Sequence, residues 1–96
     1  MGDAVPRLAR GVRLREDATR GRWVLLGPER MLVPDETALA VLKMLDGARS
    51  LDAVVDALAA LYAAPREEIA ADVAALLGDL AERRFVEVSP PAGAGG

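Results

Sequence analysis

The sequence predicts an α+β domain of winged helix-turn-helix type, with an N-terminal three-stranded antiparallel sheet followed by three helices. Three observations predict it. Between Gly11 and Val33 short apolar runs repeat with the alternation and β-branched or aromatic content of half-buried strands. After Pro34 the apolar spacing changes to the three- and four-residue rhythm of amphipathic helices. Gly, Pro and capping residues punctuate each change of rhythm.

The elements follow in order. Met1–Leu8 reads as a loose arm held extended by Pro6. Gly11–Arg15 alternates apolar with basic residues and predicts a first strand; Glu16–Gly21 is a polar, glycine-ended turn. Arg22–Leu26 predicts a second strand, Gly27-Pro28-Glu29 a turn, and Arg30–Val33 a third strand that Pro34 terminates. Short connections between the three imply an antiparallel meander. Asp35 or Thr37 caps a helix with Ala38, Val41, Leu42 and Leu45 on its apolar face, stopped by Gly47. Ser50 caps a second helix that carries Leu51, Val54, Val55, Leu58, Leu61 and Tyr62. Pro65 suits the start of a third, in which Ile69, Val73, Leu76, Leu77 and Leu80 form the core stripe. Glu67 and Glu68 fall in its first turn and Arg83 and Arg84 in its last, each with the sign that complements the helix dipole. Phe85–Val88 predicts a final strand or wing. Residues 1–88 form one domain in this reading, and the Pro/Gly/Ala-rich stretch 89–96 a disordered tail.

Composition narrows the chemistry. Of 96 residues 52% are hydrophobic, but 19 are Ala and only three are aromatic, so the core is built from aliphatic side chains with little room for an enclosed substrate cavity. There is neither Cys nor His, which excludes disulfides, thiolate and imidazole metal sites, and nucleophiles activated by His. Asp46-Gly47 reads as a helix stop, because no further acids follow at calcium-loop spacing. Trp23 and Tyr62 read as core aromatics. No paired catalytic groups stand out, so the expectation is a protein that is not an enzyme and needs no cofactor. No signal-peptide core or membrane span is apparent, and a soluble cytoplasmic protein is expected. The net charge of −3 divides into +3 over residues 1–34 and −6 over residues 35–96.

Two features are candidate binding surfaces. If the strands pair in sequence order, Arg30, Met31, Leu32 and Val33 lie on a sheet edge whose main-chain groups can accept an extended peptide, with Pro34 at its end. On the third helix Glu68, Asp72, Ala75, Asp79 and Arg83 flank the core stripe that contains Leu76. Should this flank lie beside the third strand, the two form a groove with an apolar floor and polar walls. On the residues alone, an ordinary shielded edge and a solvated helix face are the preferred readings of both. The helix-turn-helix pattern also raises a DNA-binding regulator as an alternative. A recognition helix that approaches phosphates is basic, however, whereas this one exposes Glu67, Glu68, Asp72, Asp79 and Glu82.

Several stretches resemble the PqqD family of pyrroloquinoline quinone biosynthesis. They are residues 6–15 (Pro6 through Arg15), residues 23–30 (Trp23 through Arg30), Glu36-Thr37-Ala38, Asp46-Gly47 followed by Arg49-Ser50, and residues 69–80, notably Asp72-Val73. Together they span about residues 6–88. The Arg10–Arg15 run joined to the Pro28-Glu29-Arg30 turn is the most specific part. The resemblance implies a winged-helix peptide-recognition domain. Such a domain binds the ribosomal precursor peptide PqqA as a strand added to the third β-strand, against the third helix. It presents the peptide to PqqE, a radical S-adenosylmethionine enzyme that cross-links a Glu and a Tyr within it. The implied partners are therefore PqqA and PqqE. The residues themselves lead to an expectation of no nucleic acid and no membrane, and a three-stranded meander joined to helices is compatible with a monomer or a strand-exchanged dimer. The implied peptide-binding residues are Arg30, Met31, Leu32, Val33, Pro34, Asp72, Ala75, Leu76, Asp79 and Arg83. The chain departs from the family pattern at two places. Pro34-Asp35 stands where an apolar residue and Asn are usual, and Arg84-Phe85-Val86 replaces a glycine-containing turn.

Overall fold

A computed structural model describes residues 3–89. Within them the element order is β1 (Val5–Leu8), β2 (Arg13–Asp17), β3 (Arg22–Gly27), β4 (Arg30–Leu32), α1 (Glu36–Leu42), α2 (Leu51–Tyr62), α3 (Arg66–Glu82) and β5 (Val86–Ser89). The α+β architecture of a three-stranded meander followed by three helices is the one expected. Of the expected disordered tail, Ser89 closes β5 and the remainder lies outside the described residues.

The meander has the order β2-β3-β4, antiparallel throughout, with Leu14 opposite Leu25 and Leu25 opposite Leu32. The three leucines therefore line one face across the sheet. Leu25 at its centre is completely buried, and Leu14 and Leu32 pack against the core from either side. Burial of a leucine on this scale stabilises by roughly 1.5–3 kcal/mol. The helices close over that face with Val41 and Leu42 from α1, Val54, Val55 and Leu58 from α2, and Val73, Leu77 and Leu80 from α3.

Each helix start has a local cause. Asp35, not Thr37, caps α1: its Oδ1 accepts the N–H of Ala38 at 2.8 Å. Ser50 Oγ accepts the N–H of Ala53 at 3.1 Å and starts α2. Pro65 precedes α3 without a side-chain cap, and Glu67 and Glu68 supply the compensating charge in the first turn. Arg66 ties that turn to α2, with Nε 2.5 Å from Asp56 Oδ1 and a terminal nitrogen 2.9 Å from Asp52 Oδ1.

Three local expectations are corrected. The supposed arm is a strand over Val5–Leu8: β1 pairs antiparallel with β5 in a second, two-stranded sheet, with Val5 opposite Ser89 and Leu8 opposite Val86. Pro6 is fully buried there, Ala4 accepts the N–H of Leu51 at 2.7 Å, and Arg7 bridges to Asp46. A partner some eighty residues away leaves no trace in local periodicity. Second, α1 ends at Leu42, short of Leu45. Tighter turns, with Met44 N–H to Val41 O and Leu45 N–H to Leu42 O, carry the chain on to Gly47, which has φ +80°. Third, Arg83 and Arg84 lie past the last turn of α3. Arg83 is the C-cap, and Arg84 adopts a left-handed conformation at φ +65°.

Candidate functional site

β4 is an edge. It pairs with β3 on one side, and no strand covers the other among the described residues. Gly27 and Arg30 close the two-residue turn over Pro28 and Glu29, so they share the first hydrogen-bonded pair of the hairpin. Alternation along an antiparallel ladder then turns the N–H and C=O of Met31 away from β3, and those of Leu32 toward it. The Met31 side chain is 56% exposed and that of Val33 45% exposed. Leu32 is directed into the core, and Pro34 is half-buried at the end of the strand.

Two points relate β4 and the residues after it to α3. At one end, Arg30 reaches across: its guanidinium donates to the main-chain carbonyl of Arg83 and lies over the ring of Phe85. At the other end, Asp35 shares a cavity rim with Asp72 of α3. Between these two points the chain passes from the level of Arg83 to the level of Asp72, about three helical turns. Of the residues grouped by the sequence, Arg30 and Arg83 are in contact, Asp79 pairs with Arg83 at 3.4 Å, and Asp72 and Leu76 line one cavity. Asp72, Ala75 and Asp79 are solvent-exposed.

That cavity, of about 300 Å³, is lined by residues that follow Pro34 in the chain. Its floor is Ala38, Val41, Leu58 and Val73; Ile69 and Leu76 form an apolar wall, and Asp35, Thr37, Tyr62 and Asp72 stand around it. Sequence reasoning missed most of it. Ile69 and Leu76 belong to the stripe assigned to the core but are only half-buried, and Tyr62, read as a core aromatic, is 42% exposed. The usable signal was Tyr62 at the very end of α2, where a helix has less neighbouring structure to bury against. Trp23, by contrast, is half-buried on β3 with the Lys43 ammonium 4.5 Å from its ring centre.

The departure at Pro34-Asp35 preserves local geometry. Asp35 performs the capping that Asn would, and its negative charge sits at the N-terminus of α1.

Residues 22–86 match the family model described as Coenzyme PQQ synthesis protein D (PqqD). The chain belongs to the PqqD family. Among curated relatives, a PqqA binding protein of Rhodopseudomonas palustris (strain HaA2) is 53% identical over 81 residues, which cover 84% of this chain and 79% of the relative. A PqqA binding protein of Rhizobium meliloti (strain 1021) is 47% identical over 87 residues, covering 91% and 89%. Two solved PqqD structures are similar. The solution structure of the PqqD truncation of Methylobacterium extorquens PqqCD is 44% identical, with a TM-score of 0.76 and coverage of 91% of this chain and 93% of that one. It is described as a functional, stand-alone recognition element for ribosomally synthesised and post-translationally modified peptides. The crystal structure of PqqD from Xanthomonas campestris is 42% identical, with a TM-score of 0.56 and coverage of 88% and 93%. The PqqD match covers β4 and α3, which both lie within residues 22–86.

Proposed function

We propose that this chain is a peptide chaperone of pyrroloquinoline quinone biosynthesis that binds the precursor peptide PqqA by strand addition along β4. The observation that carries the reading is the outward-facing main chain at Met31 on an edge strand, followed along the chain by a cavity that α3 helps to line. An extended peptide laid there gains main-chain hydrogen bonds from the edge, while Asp72, Ala75, Leu76 and Asp79 meet its side chains. Relatives about half identical over most of their length carry the name PqqA binding protein, which supports the same partner here. The role is binding. The bound peptide is then presented to the radical S-adenosylmethionine enzyme PqqE, so that the chemistry belongs to the partner and not to this chain.

The test is titration of the isotope-labelled protein with synthetic PqqA. Strand addition requires that amide exchange at Met31 slow when the peptide is present, and that Met31→Pro weaken affinity by about tenfold, through loss of one donor and of edge geometry. An amide at Met31 that exchanges equally fast with and without saturating peptide would remove β4 as the binding edge. The exchange measurement uses the unaltered protein and so does not depend on the variant's folding.

A further inference from the structure

We infer that the cavity at the end of β4 is an anchor pocket for one large apolar side chain of the bound peptide, and that it selects a peptide with a basic residue next to that anchor. This rests on the strand-addition reading and adds to it what the peptide must contain.

β4 gives way to Asp35, the N-cap of α1, and α1 starts at Glu36, so an added strand can continue its ladder no further than the end of β4. Beyond that point only side chains can hold the ligand, and there the cavity opens. At about 3.3 Å per residue, the distance from Met31 to Pro34 is three residues. The anchor thus lies about three residues along the peptide from the one paired with Met31.

The lining determines the chemistry. Ile69, Leu76 and the buried floor of Val41 and Leu58 are apolar, and a volume of about 300 Å³ sits at the low end of small-molecule sites, suited to one side chain. Two carboxylates stand at the rim. Asp35 spends one oxygen on the α1 cap, and neither Asp35 nor Asp72 has an ion-pair partner among the described residues. Glu68 lies one turn before Asp72 on α3, and Arg66, the neighbouring cation on that helix, is engaged by Asp52 and Asp56. The other end of the groove differs, because there Arg83 balances Asp79 at 3.4 Å. Uncompensated negative charge beside an apolar pocket favours Lys or Arg adjacent to the inserted side chain and disfavours Asp or Glu there.

The test compares binding of synthetic PqqA to the wild type, Asp72→Lys and Met31→Pro by calorimetry, with a series of peptides in which each Lys or Arg is replaced in turn by Glu. Asp72 is exposed on α3, and Lys is the better helix former, so the first variant keeps its fold; circular dichroism checks this. The expected result is about tenfold weaker binding by Asp72→Lys, recovered for one particular Glu-substituted peptide and no other. Affinity unchanged within twofold in Asp72→Lys, with Met31→Pro impaired, would mean that the peptide lies on β4 without reaching the pocket and would overturn this inference alone. Loss in Asp72→Lys with Met31→Pro unaffected would uphold the basic preference beside the cavity and overturn strand addition, and with it the spacing of the anchor from Met31. No loss in either would overturn both.

Discussion

The Arg30 guanidinium lies over the Phe85 ring, 4.6 Å from its centre, while donating a hydrogen bond to the carbonyl of Arg83. One side chain thereby joins the start of β4 to the end of α3 and the approach to β5. The same ring meets the backbone of β3, because a Cβ on Gly27 would come within 3.1 Å of it. The spacing of β4 from α3 at this end is thus set by three groups in mutual contact.

Arg30→Ala is expected to lower stability by about 1–2 kcal/mol, the sum of an exposed cation–π contact and one hydrogen bond. Arg30→Lys recovers less than half, since an ammonium cannot stack flat and donate sideways at once. Urea denaturation of the three proteins measures this, and equal stability of the Lys variant and wild type would show that only the charge matters.

The end of α3 offers a gain. Phe85 N–H bonds to Leu80 O at 2.9 Å and Arg84 N–H to Ala81 O at 3.0 Å, the paired bonds of a Schellman motif, with Phe85 and Leu80 both buried. The motif requires a left-handed residue, and Arg84 supplies it at φ +65°. For a residue with a Cβ this conformation costs roughly 1–2 kcal/mol, partly offset because glycine has more freedom to lose on folding. Arg84→Gly should therefore stabilise by about 0.5–1 kcal/mol, raising Tm by several degrees, whereas Arg84→Ala should not. A stabilised Ala variant would attribute the gain to charge removal instead. The replacement of a glycine-containing turn thus keeps the turn and accepts the strain.

Legibility in the sequence followed the range of the interactions involved. The alternation of the meander strands, the cap at Ser50 and the helical stripes are set by residues within four positions of one another and were readable, and the α1 cap was narrowed to Asp35 or Thr37. β1 was not, because Pro6 in isolation signals extended chain and its partner Val88 belongs to the other end of the fold. The groove was half legible. Edge position follows from strand order, and Asp72 and Leu76 from helical spacing, but which stripe residues are covered depends on how far α1 and α2 reach over α3. Ile69 and Tyr62 satisfy the same periodicity as Val73 and Leu58, yet Ile69 is only half-buried and Tyr62 exposed around a cavity whose floor Val73 and Leu58 form. Periodicity assigns a face and cannot tell where along that face the neighbouring helices stop.

The loop between α1 and α2 carries a pH-sensitive anchor with a definite sign. Asp46 Oδ1 accepts the N–H groups of Ala48 at 2.9 Å and Arg49 at 2.8 Å, and the Arg49 guanidinium lies 3.9 Å from Oδ2. The two main-chain donors first, and the Arg49 charge after them, hold the carboxyl below its ordinary value. A carboxyl whose pKa is lower in the folded than in the unfolded state stabilises at pH above the unfolded value, about 4, and loses that contribution as the pH falls through the folded value. Asp46→Asn keeps an acceptor but removes the charge. Its melting temperature should lie below that of the wild type by a constant margin from pH 7 to about 5, and the gap should close below about pH 4 as the wild-type carboxyl protonates. Thermal melts across this range decide it. A gap that persists undiminished to pH 3 would mean that the loop depends on carboxylate shape and not on its charge. The residue also bridges to Arg7 of β1, so loss of the anchor should loosen the β1–β5 sheet before the meander, visible as earlier amide exchange at Arg7 than at Leu25.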